Sequence, residues 1–312
     1  MTQRLSSIAI LLLLCTFLIT AQDVKRPRIT GISHVAVYVH NVDSSLAFYR
    51  DFLGFQEQYR LNKPTGEPST IFIKVNDLQC VELFPEKEAG TDRLYQVALI
   101  TDNSEGMRAY LASRGVKVPE KVGKGRIGNY NFSVKDPDGR VVEIVQYEPT
   151  GWTIQDSGKH MSDSRISTHI KHIGFAVDSL NRSLRFYHDI LGFEETWRGS
   201  RDSSMLSWVN LRVPDGTDYV EFMLYKDPPT MERLGTMNHF SLEVEDVSKA
   251  AASLEARPER KKYTRTIEVR TGINHKRQCN LFDPDGTRSE IMEPNTVDGK
   301  PVPPSTVPTP RY

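Results

Sequence analysis

The sequence predicts an α+β protein built from four βαβββ units that pair into two domains. One observation behind this prediction is an internal repeat, because ISHVAVYVHNVDSSLAFYRDFLGF (32–55) aligns without a gap with IKHIGFAVDSLNRSLRFYHDILGF (170–193). The other is a phrase near the end of each half, where the turn Asp-Pro-Asp-Gly is followed, four residues after its glycine, by Glu143 or Glu290. The turn suits a type I geometry and needs no chemistry, whereas a glutamate in an apolar strand requires a partner.

Each copy of the repeat opens with an alternating apolar strand and continues as an amphipathic helix. A glycine at the helix end, Gly54 or Gly192, suits a left-handed cap. Three short strand-like runs follow, and the pattern then restarts at YQVALIT (95–101) and at MNHFSLEV (237–244), each time ending in the acidic turn and its glutamate. The predicted domains span residues 29–149 and 168–294.

Composition excludes some classes of partner and of site. The chain has 312 residues with 40 acidic and 40 basic side chains, so its bulk charge favours neither nucleic acid nor an acidic membrane surface. Cys80 and Cys279 are too few and too far apart for a disulfide framework or a cysteine-based zinc site, and we interpret both as buried thiols. A functional site therefore has to be found in local patterns.

Three segments lie outside the predicted domains. Residues 150–167 lack hydrophobic periodicity and are predicted to form a linker, and residues 295–312 a proline-rich extended tail. The apolar run at 8–19 has the length of a signal-peptide core and is short for a membrane span. We therefore predict a signal peptide over 1–21 and export to the periplasm or the cell exterior, with no membrane contact in the mature form. A lipid anchor at Cys15 and an uncleaved N-terminal anchor are the alternatives.

Polar residues recur at corresponding positions of the apolar strands. Three of the four units open with a histidine in the first strand, and all four close with a glutamate in the last. The first half has His34, Glu82, Gln96 and Glu143, and the second half has His172, Glu221, His239 and Glu290. Imidazoles and carboxylates that converge from separate strands are a ligand set for one divalent metal ion, such as Fe, Ni, Co, Mn or Zn.

These motifs resemble those of the vicinal oxygen chelate superfamily, which includes glyoxalase I, extradiol ring-cleaving dioxygenases, epimerases and antibiotic-binding resistance proteins. The resemblance rests on the H-[IV]-x-[FV]-x-V…FY…LGF opening and the DPDG-x-x-x-E ending, and it covers both domains. It implies that each pair of units forms a cupped sheet around a metal. The second domain matches the two-His, two-Glu set of glyoxalase-like enzymes, whereas the first has Gln96 in place of a second histidine.

The resemblance leaves the pairing of units open, because such proteins pair them either within one domain or across two. Pairing within each domain keeps the two ligand sets as they stand, and the long linker favours it. Crossed pairing would instead combine His34 and Glu82 with His239 and Glu290, and His172 and Glu221 with Gln96 and Glu143.

The resemblance implies that the metal chelates two adjacent oxygens of a small substrate. One hypothesis is a metal-dependent lyase or isomerase in which Glu290, or else Glu221, abstracts a proton. Another is an Fe(II) extradiol dioxygenase with His172, His239 and Glu290 as ligands. Against it, Asn280 aligns with the family's tyrosine, and Glu221 would occupy a position that catechol or oxygen requires. A third is a non-enzymatic binding protein, which the complete second ligand set opposes.

The sequence does not identify the substrate. Strand alternation places Tyr219 and Tyr225 on the face of Glu221, and Ser241 on the face of His239, so the sequence predicts that these three side chains bind the substrate. Several basic residues could receive a substrate carboxylate, although exposure to solvent is the simpler interpretation of them: Arg265, Arg270, Lys276 and Arg277. The oligomeric state is left open.

Overall fold

The computed structural model describes residues 24–88, 92–227 and 229–310 of the chain. The predicted signal peptide, residues 1–21, lies outside them. Within the described residues, no helix is long and apolar enough to cross a membrane. These residues form two eight-stranded sheets, short helices and the segments that join them.

The first sheet contains every strand of the first half of the chain. Its strands are β1 (Ile29–Val39), β2 (Gln56–Asn62), β3 (Pro68–Lys74), β4 (Cys80–Pro85), β5 (Leu94–Thr101), β6 (Gly123–Lys124), β7 (Tyr130–Lys135) and β8 (Val141–Gln146). They lie in the order β2-β3-β4-β1-β5-β8-β7-β6, so two four-stranded units meet where β1 pairs with β5.

The second sheet repeats this arrangement. Its strands are β9 (Ile170–Ala176), β10 (Glu194–Gly199), β11 (Trp208–Arg212), β12 (Tyr219–Met223), β13 (His239–Glu243), β14 (Val269–Thr271), β15 (Lys276–Phe282) and β16 (Arg288–Thr296). The order is β10-β11-β12-β9-β13-β16-β15-β14, and the two units meet where β9 pairs with β13. In each unit the first strand is parallel to the last, which brings ligand positions on the two strands side by side.

The sheets confirm the predicted α+β class with four βαβββ units. Because each sheet draws all its strands from one half, the units pair within halves and not across them. The last strand runs to Thr296, two residues beyond the predicted end of the second domain at 294. The predicted domain boundaries themselves remain sequence predictions.

Short helices cover the sheets. Those in the described part of the chain are α1 (Val42–Leu46), α2 (Ser104–Ser113), α3 (Trp152–Gln155), α4 (Leu180–Leu184), α5 (Met231–Met237) and α6 (Val247–Glu255). Helices α1 and α4 each continue as a π-helical turn, Ala47–Phe52 and Arg185–Ile190, whose aromatic residues are buried. Gly54 and Gly192 follow with φ of +80° and +79°, the left-handed conformation predicted for both.

The two halves are joined through the acidic turns. Asp283, the first residue of the second turn, accepts a hydrogen bond from the hydroxyl of Tyr49 at 3.0 Å. Asp136, the first residue of the other turn, accepts one from Tyr187 at 3.2 Å. Each bond links a helical turn of one half to an acidic turn of the other, and all four side chains are buried. The turns therefore serve the interface between the halves and lie outside the metal-ligand sets.

The linker and the tail are both attached to the sheets. The linker contains α3, and Asp156 directly follows this helix. The buried amine of Lys74 on β3 donates hydrogen bonds to the carbonyl of Asp156 at 2.6 Å and to its carboxylate at 3.1 Å. The tail has no helix or strand over residues 300–310, and the carbonyl of Pro308 accepts a hydrogen bond from the backbone of Leu206 at 2.8 Å. Within the described residues, hydrogen bonds therefore connect both segments to the rest of the protein.

Candidate metal centre

The second cup is the face of the second sheet that carries the predicted ligand set. Its side chains come from four strands: His172 from β9, Glu221 from β12, His239 from β13 and Glu290 from β16. The two Nε2 atoms lie 3.1 Å apart. Oε2 of Glu290 lies 3.4 Å from Nε2 of His172, and Oε2 of Glu221 lies 3.6 Å from Nε2 of His239. The fold therefore brings all four side chains to one point.

Burial shifts the protonation equilibria of these four side chains. It lowers the pKa of His172 and of His239 well below the ordinary value, and the positive charge of Arg288 acts in the same direction. Burial also raises the pKa of Glu290, and it raises the pKa of Glu221 to about 8 with repulsion from Glu290 adding to the effect. Both imidazoles are therefore neutral at pH 7, and the carboxylates resist ionisation unless a cation joins them.

Neighbouring groups orient the two rings. Tyr219 stacks on His172 with ring centroids 4.5 Å apart. Nδ1 of His239 lies 3.2 Å from the carbonyl of Met237 and 2.5 Å from Nη2 of Arg288, so these groups hold that edge of the ring and leave Nε2 directed into the cup. Gly174 lies opposite His239 across β9 and β13, and a Cβ there would stand 2.0 Å from Cε1 of the ring. Because Gly174 has no side chain, the imidazole ring of His239 occupies the space beside it.

The donor set fits a divalent metal ion, as predicted. Neutral imidazoles offer lone pairs, and within the described parts of the chain neither carboxylate forms an ion pair with a lysine or arginine. With metal–ligand bonds of about 2 Å, two donors of one ion stand up to about 4 Å apart. The donor atoms of His172, His239 and Glu290 lie within 4.8 Å of one another, so a small adjustment would bring them into range.

Metal binding by the second cup is expected to release protons and to weaken as the pH falls below about 8. The pKa of Glu221 is raised above its ordinary value, so at neutral pH the metal-free side chain keeps a proton that a cation must displace. The apparent affinity should then fall by up to about tenfold per pH unit below that pKa. Calorimetry from pH 6 to 9, in two buffers of different ionisation enthalpy, measures both effects. A proton release that is undiminished in Glu221→Gln would contradict this assignment.

The first cup, the corresponding face of the first sheet, also brings its four predicted residues together. His34 lies between two carboxylates, with Nδ1 3.5 Å from Glu82 and Nε2 3.0 Å from Glu143. Gln96 donates from its amide nitrogen to Glu143 at 2.8 Å, and the same nitrogen lies 2.9 Å from Nε2 of His34. These contacts form a closed network of polar side chains.

The charges of the first cup differ from those of the second. Burial disfavours the charged ring of His34, but the charge of Glu82 and a hydrogen bond to Glu143 outweigh it and raise its pKa. Burial raises the pKa of Glu82 to about 7, with the charge of His34 opposing the shift. The two carboxylates therefore favour the protonated form of His34 in the first cup, whereas His172 in the second cup is held in its neutral form.

Cys80 adds a donor to the first cup. It pairs with His34 in register across β1 and β4, so its side chain lies on the cup face and is partly exposed. Its Sγ, a ring nitrogen of His34 and a carboxylate oxygen of Glu82 lie within 4.8 Å of one another. The interpretation as a buried thiol is therefore wrong for Cys80 and confirmed for Cys279, which is 1% exposed. Strand alternation between positions 80 and 82 was the available signal.

Comparison with known proteins identifies the family of this architecture. The model of the Glyoxalase/Bleomycin resistance protein/Dioxygenase superfamily matches residues 31–144 and, separately, residues 169–291. These two ranges make up more than half of the chain. The chain belongs to this superfamily. The resemblance inferred from its motifs is thereby confirmed for both halves.

Solved structures share the superfamily fold over most of the chain. The Mn(II)-bound glyoxalase from Novosphingobium aromaticivorans is 20% identical, with a TM-score of 0.64, and the match covers 92% of this chain and 89% of that one. The 2,3-dioxygenase LapB from Pseudomonas sp. KL28 is 16% identical, with a TM-score of 0.66, covering 89% of this chain and 98% of that one. The uncharacterized protein YwbC of Bacillus subtilis (strain 168) is 21% identical over 121 residues, 37% of this chain and 96% of YwbC. Sequence identities this low establish a shared fold, and the reaction has to be inferred from the residues of the site.

The superfamily cup in the second half opens into a cavity of about 300 Å³ that Glu221 and Glu290 line. Of the three side chains predicted to bind substrate, Tyr225 lies at an adjoining opening. Tyr219 and Ser241 are buried against the ligands instead, since Tyr219 stacks on an imidazole and Ser241 pairs in register with Glu290. The geometry therefore places these two as supports for the ligands.

Most of the cavity wall was not predicted from the sequence. The unpredicted residues include Trp197, Arg201, Trp208 and Arg288. Arg288 was detectable, because it lies two residues before Glu290 on β16 and therefore on the same face. Arg201 lies in the loop between β10 and β11, where no periodic pattern exists to place a side chain.

Proposed function

We propose that the chain is an exported metal-dependent enzyme whose second cup binds two adjacent oxygens of a small substrate and moves a proton beside them, as a lyase or isomerase does. The observation that carries this proposal is the convergence of two neutral imidazoles and two carboxylates at one point open to a cavity. A divalent metal held there supplies a Lewis acid that stabilises negative charge on substrate oxygens.

Ligation and proton transfer fall to different side chains in this proposal. His172, His239 and Glu290 form the tight donor group and are assigned to the metal. Glu221 lies outside that group, lines the cavity, and has a pKa of about 8. A pKa near the working pH suits a residue that takes up a proton and returns it. The sequence favoured Glu290 as the base with Glu221 as the other choice, and the geometry favours Glu221.

An Fe(II) extradiol dioxygenase is the second candidate. The tight group of two histidines and one glutamate is the donor set typical of non-haem Fe(II) oxygenases, and two 2,3-dioxygenases share the fold. Two features oppose it. Glu221 stands 3.6 Å from His239 and competes for the open positions of the metal. Asn280, opposite Glu290 in register, occupies the place that the resemblance gives to a tyrosine.

Elemental analysis of the dialysed protein tests the metal centre. Wild type reconstituted separately with Fe(II), Ni(II), Co(II), Mn(II) and Zn(II) is expected to retain one equivalent of at least one ion in the second cup. Glu290→Ala is expected to lose it, because the tight donor group then lacks its carboxylate. Glu143→Ala, the corresponding change in the first cup, is the matched control and should keep it. Failure of every ion to bind wild type would leave a binding protein.

Two assays separate the candidate reactions. Exchange of the carbon-bound protons of hydroxyacetone with D₂O, followed by NMR, reports proton abstraction beside chelated oxygens. We expect exchange by the metal-loaded wild type and its loss in Glu221→Gln with metal content unchanged. Oxygen uptake by the Fe(II)-loaded protein with catechol, in the absence of exchange activity, would favour the dioxygenase instead.

Export is tested on the protein in its native host. The mass of the mature protein recovered from outside the cytoplasm is expected to correspond to a chain that begins after Ala21. A protein found only in the cytoplasm with its first 21 residues intact would contradict this part of the proposal.

A further inference from the structure

Two arginines on the wall of the second cup lack an acidic partner. Arg201 and Arg288 line the same cavity as Glu221 and Glu290. Neither arginine forms an ion pair with any carboxylate of the described residues. Arg270, the third arginine of the wall, differs because Glu268 pairs with it at 2.6 Å. Two arginines without an ion-pair partner among the described residues therefore line the cavity.

Arg288 is anchored beside the ligands but is left with an unused donor. It lies opposite His239 in register, on the same face of β16 as Glu290. Its Nη2 lies 2.5 Å from Nδ1 of His239 and donates to the carbonyl of Met237 at 3.1 Å, while its Nε is buried and has no hydrogen-bond partner. A buried donor without an acceptor costs about 1–3 kcal/mol. An oxygen atom of a bound molecule would satisfy it.

The first cup shows that the fold does not require an arginine at the position of Arg288. Val141 occupies the position of Arg288 there, and it faces Gln96 as Arg288 faces His239. Arg126, on the wall of the first cup, donates to the carbonyl of Asn62. Because both cups are built from the same repeated unit, an arginine present in one and replaced by valine in the other belongs to binding and not to folding.

We propose that the substrate of the second cup carries a carboxylate beside its two metal-chelating oxygens, and that Arg201 and Arg288 bind this carboxylate. The inference rests on the proposed function, because it names the substrate class of the same site. A divalent ion offsets the charges of Glu221 and Glu290, so the two arginines remain to balance the substrate. One negative charge on the chelating oxygens and one on a carboxylate meet that requirement, and guanidinium donors match the two carboxylate oxygens.

The test compares two probes that differ by one charge. 3,4-Dihydroxybenzoate and its methyl ester share the same adjacent oxygens, and the Zn(II)-loaded protein binds them without oxidation in anaerobic calorimetry. Wild type is expected to bind the acid at least tenfold more tightly than the ester. Arg201→Met and Arg288→Met should each reduce this ratio severalfold, and Arg288→Lys should restore part of it because it restores the charge.

A matched control comes from the neighbouring strand. Arg198 lies on β10 beside Trp197 but is held by both oxygens of Glu195, so Arg198→Met should leave the ratio unchanged. Equal binding of acid and ester by wild type, or a ratio that survives both arginine substitutions, would overturn the inference. Metal content and ester affinity are recorded for every variant. They report on the proposed metal centre, so that its failure is distinguished from failure of the carboxylate site.

Discussion

Gly174→Ala is expected to abolish metal binding by the second cup while the first cup and the overall fold persist. A Cβ at this position would lie 2.0 Å from Cε1 and 2.5 Å from Nδ1 of His239, so the ring must turn out of the cup or the strand must move. Displacing a ligand in this way should weaken metal binding by at least about 10- to 100-fold. The overpacking itself should lower the free energy of unfolding by about 1–3 kcal/mol.

The repeat supplies the control for this prediction. Ala36 stands at the corresponding position of the first half, where it faces Gln96 as Gly174 faces His239. Gly174→Ala combined with His239→Gln recreates that pair, and we expect it to recover folding stability without recovering metal binding. Melting temperature and metal content separate the two effects. A Gly174→Ala protein that binds metal with unchanged affinity would contradict the packing argument.

Lys74→Met is expected to lower the free energy of unfolding by about 2–4 kcal/mol, because it leaves a partly buried carbonyl and two carboxylates without their cation. The side chain of Lys74 is 0% exposed, and its amine bonds the carbonyl and carboxylate of Asp156 and lies 3.0 Å from Asp77. Since Asp156 follows α3, the linker should also detach from the sheet. Urea denaturation measures the first effect, and limited proteolysis within 150–167 measures the second.

Lys159→Met serves as the comparison for Lys74→Met. Its amine donates to a backbone carbonyl of the same linker at 3.2 Å, but the residue is exposed. We expect a change within about 0.5 kcal/mol and no new cleavage. Should Lys74→Met behave like Lys159→Met in both assays, the buried amine would not be what holds the linker.

The fold was predictable because the repeat is a local property of the chain. Apolar alternation located the strands, and a glycine with positive φ ended the helix in each copy, at Gly54 and Gly192. The linker was less predictable. Its attachment depends on Lys74, a residue 82 positions away from Asp156, and no periodicity within the linker reports such a contact.

The convergence of the candidate ligands was predictable for a related reason. Histidine and glutamate stood where a buried strand normally has apolar residues, and their recurrence in the units marked both cups. The support around them was not predictable. Tyr219 and Ser241 share a face with the ligands and were assigned to the substrate, but packing places them against the ligand side chains. Strand alternation predicts the face on which a side chain lies, but it does not predict how deeply that side chain is buried.

The sequence by itself determined the repeated unit, the superfamily and the two sets of polar side chains that converge in the cups, because periodicity and recurrence are local properties of the chain. The tertiary structure decided which units pair, since hydrogen bonding between β1 and β5 and between β9 and β13 joins distant segments. The tertiary structure also decided which protonation state of each buried histidine is favoured. The neighbouring carboxylates favour a protonated His34 against the effect of burial, whereas burial keeps His172 neutral, and these groups meet only when the strands lie side by side.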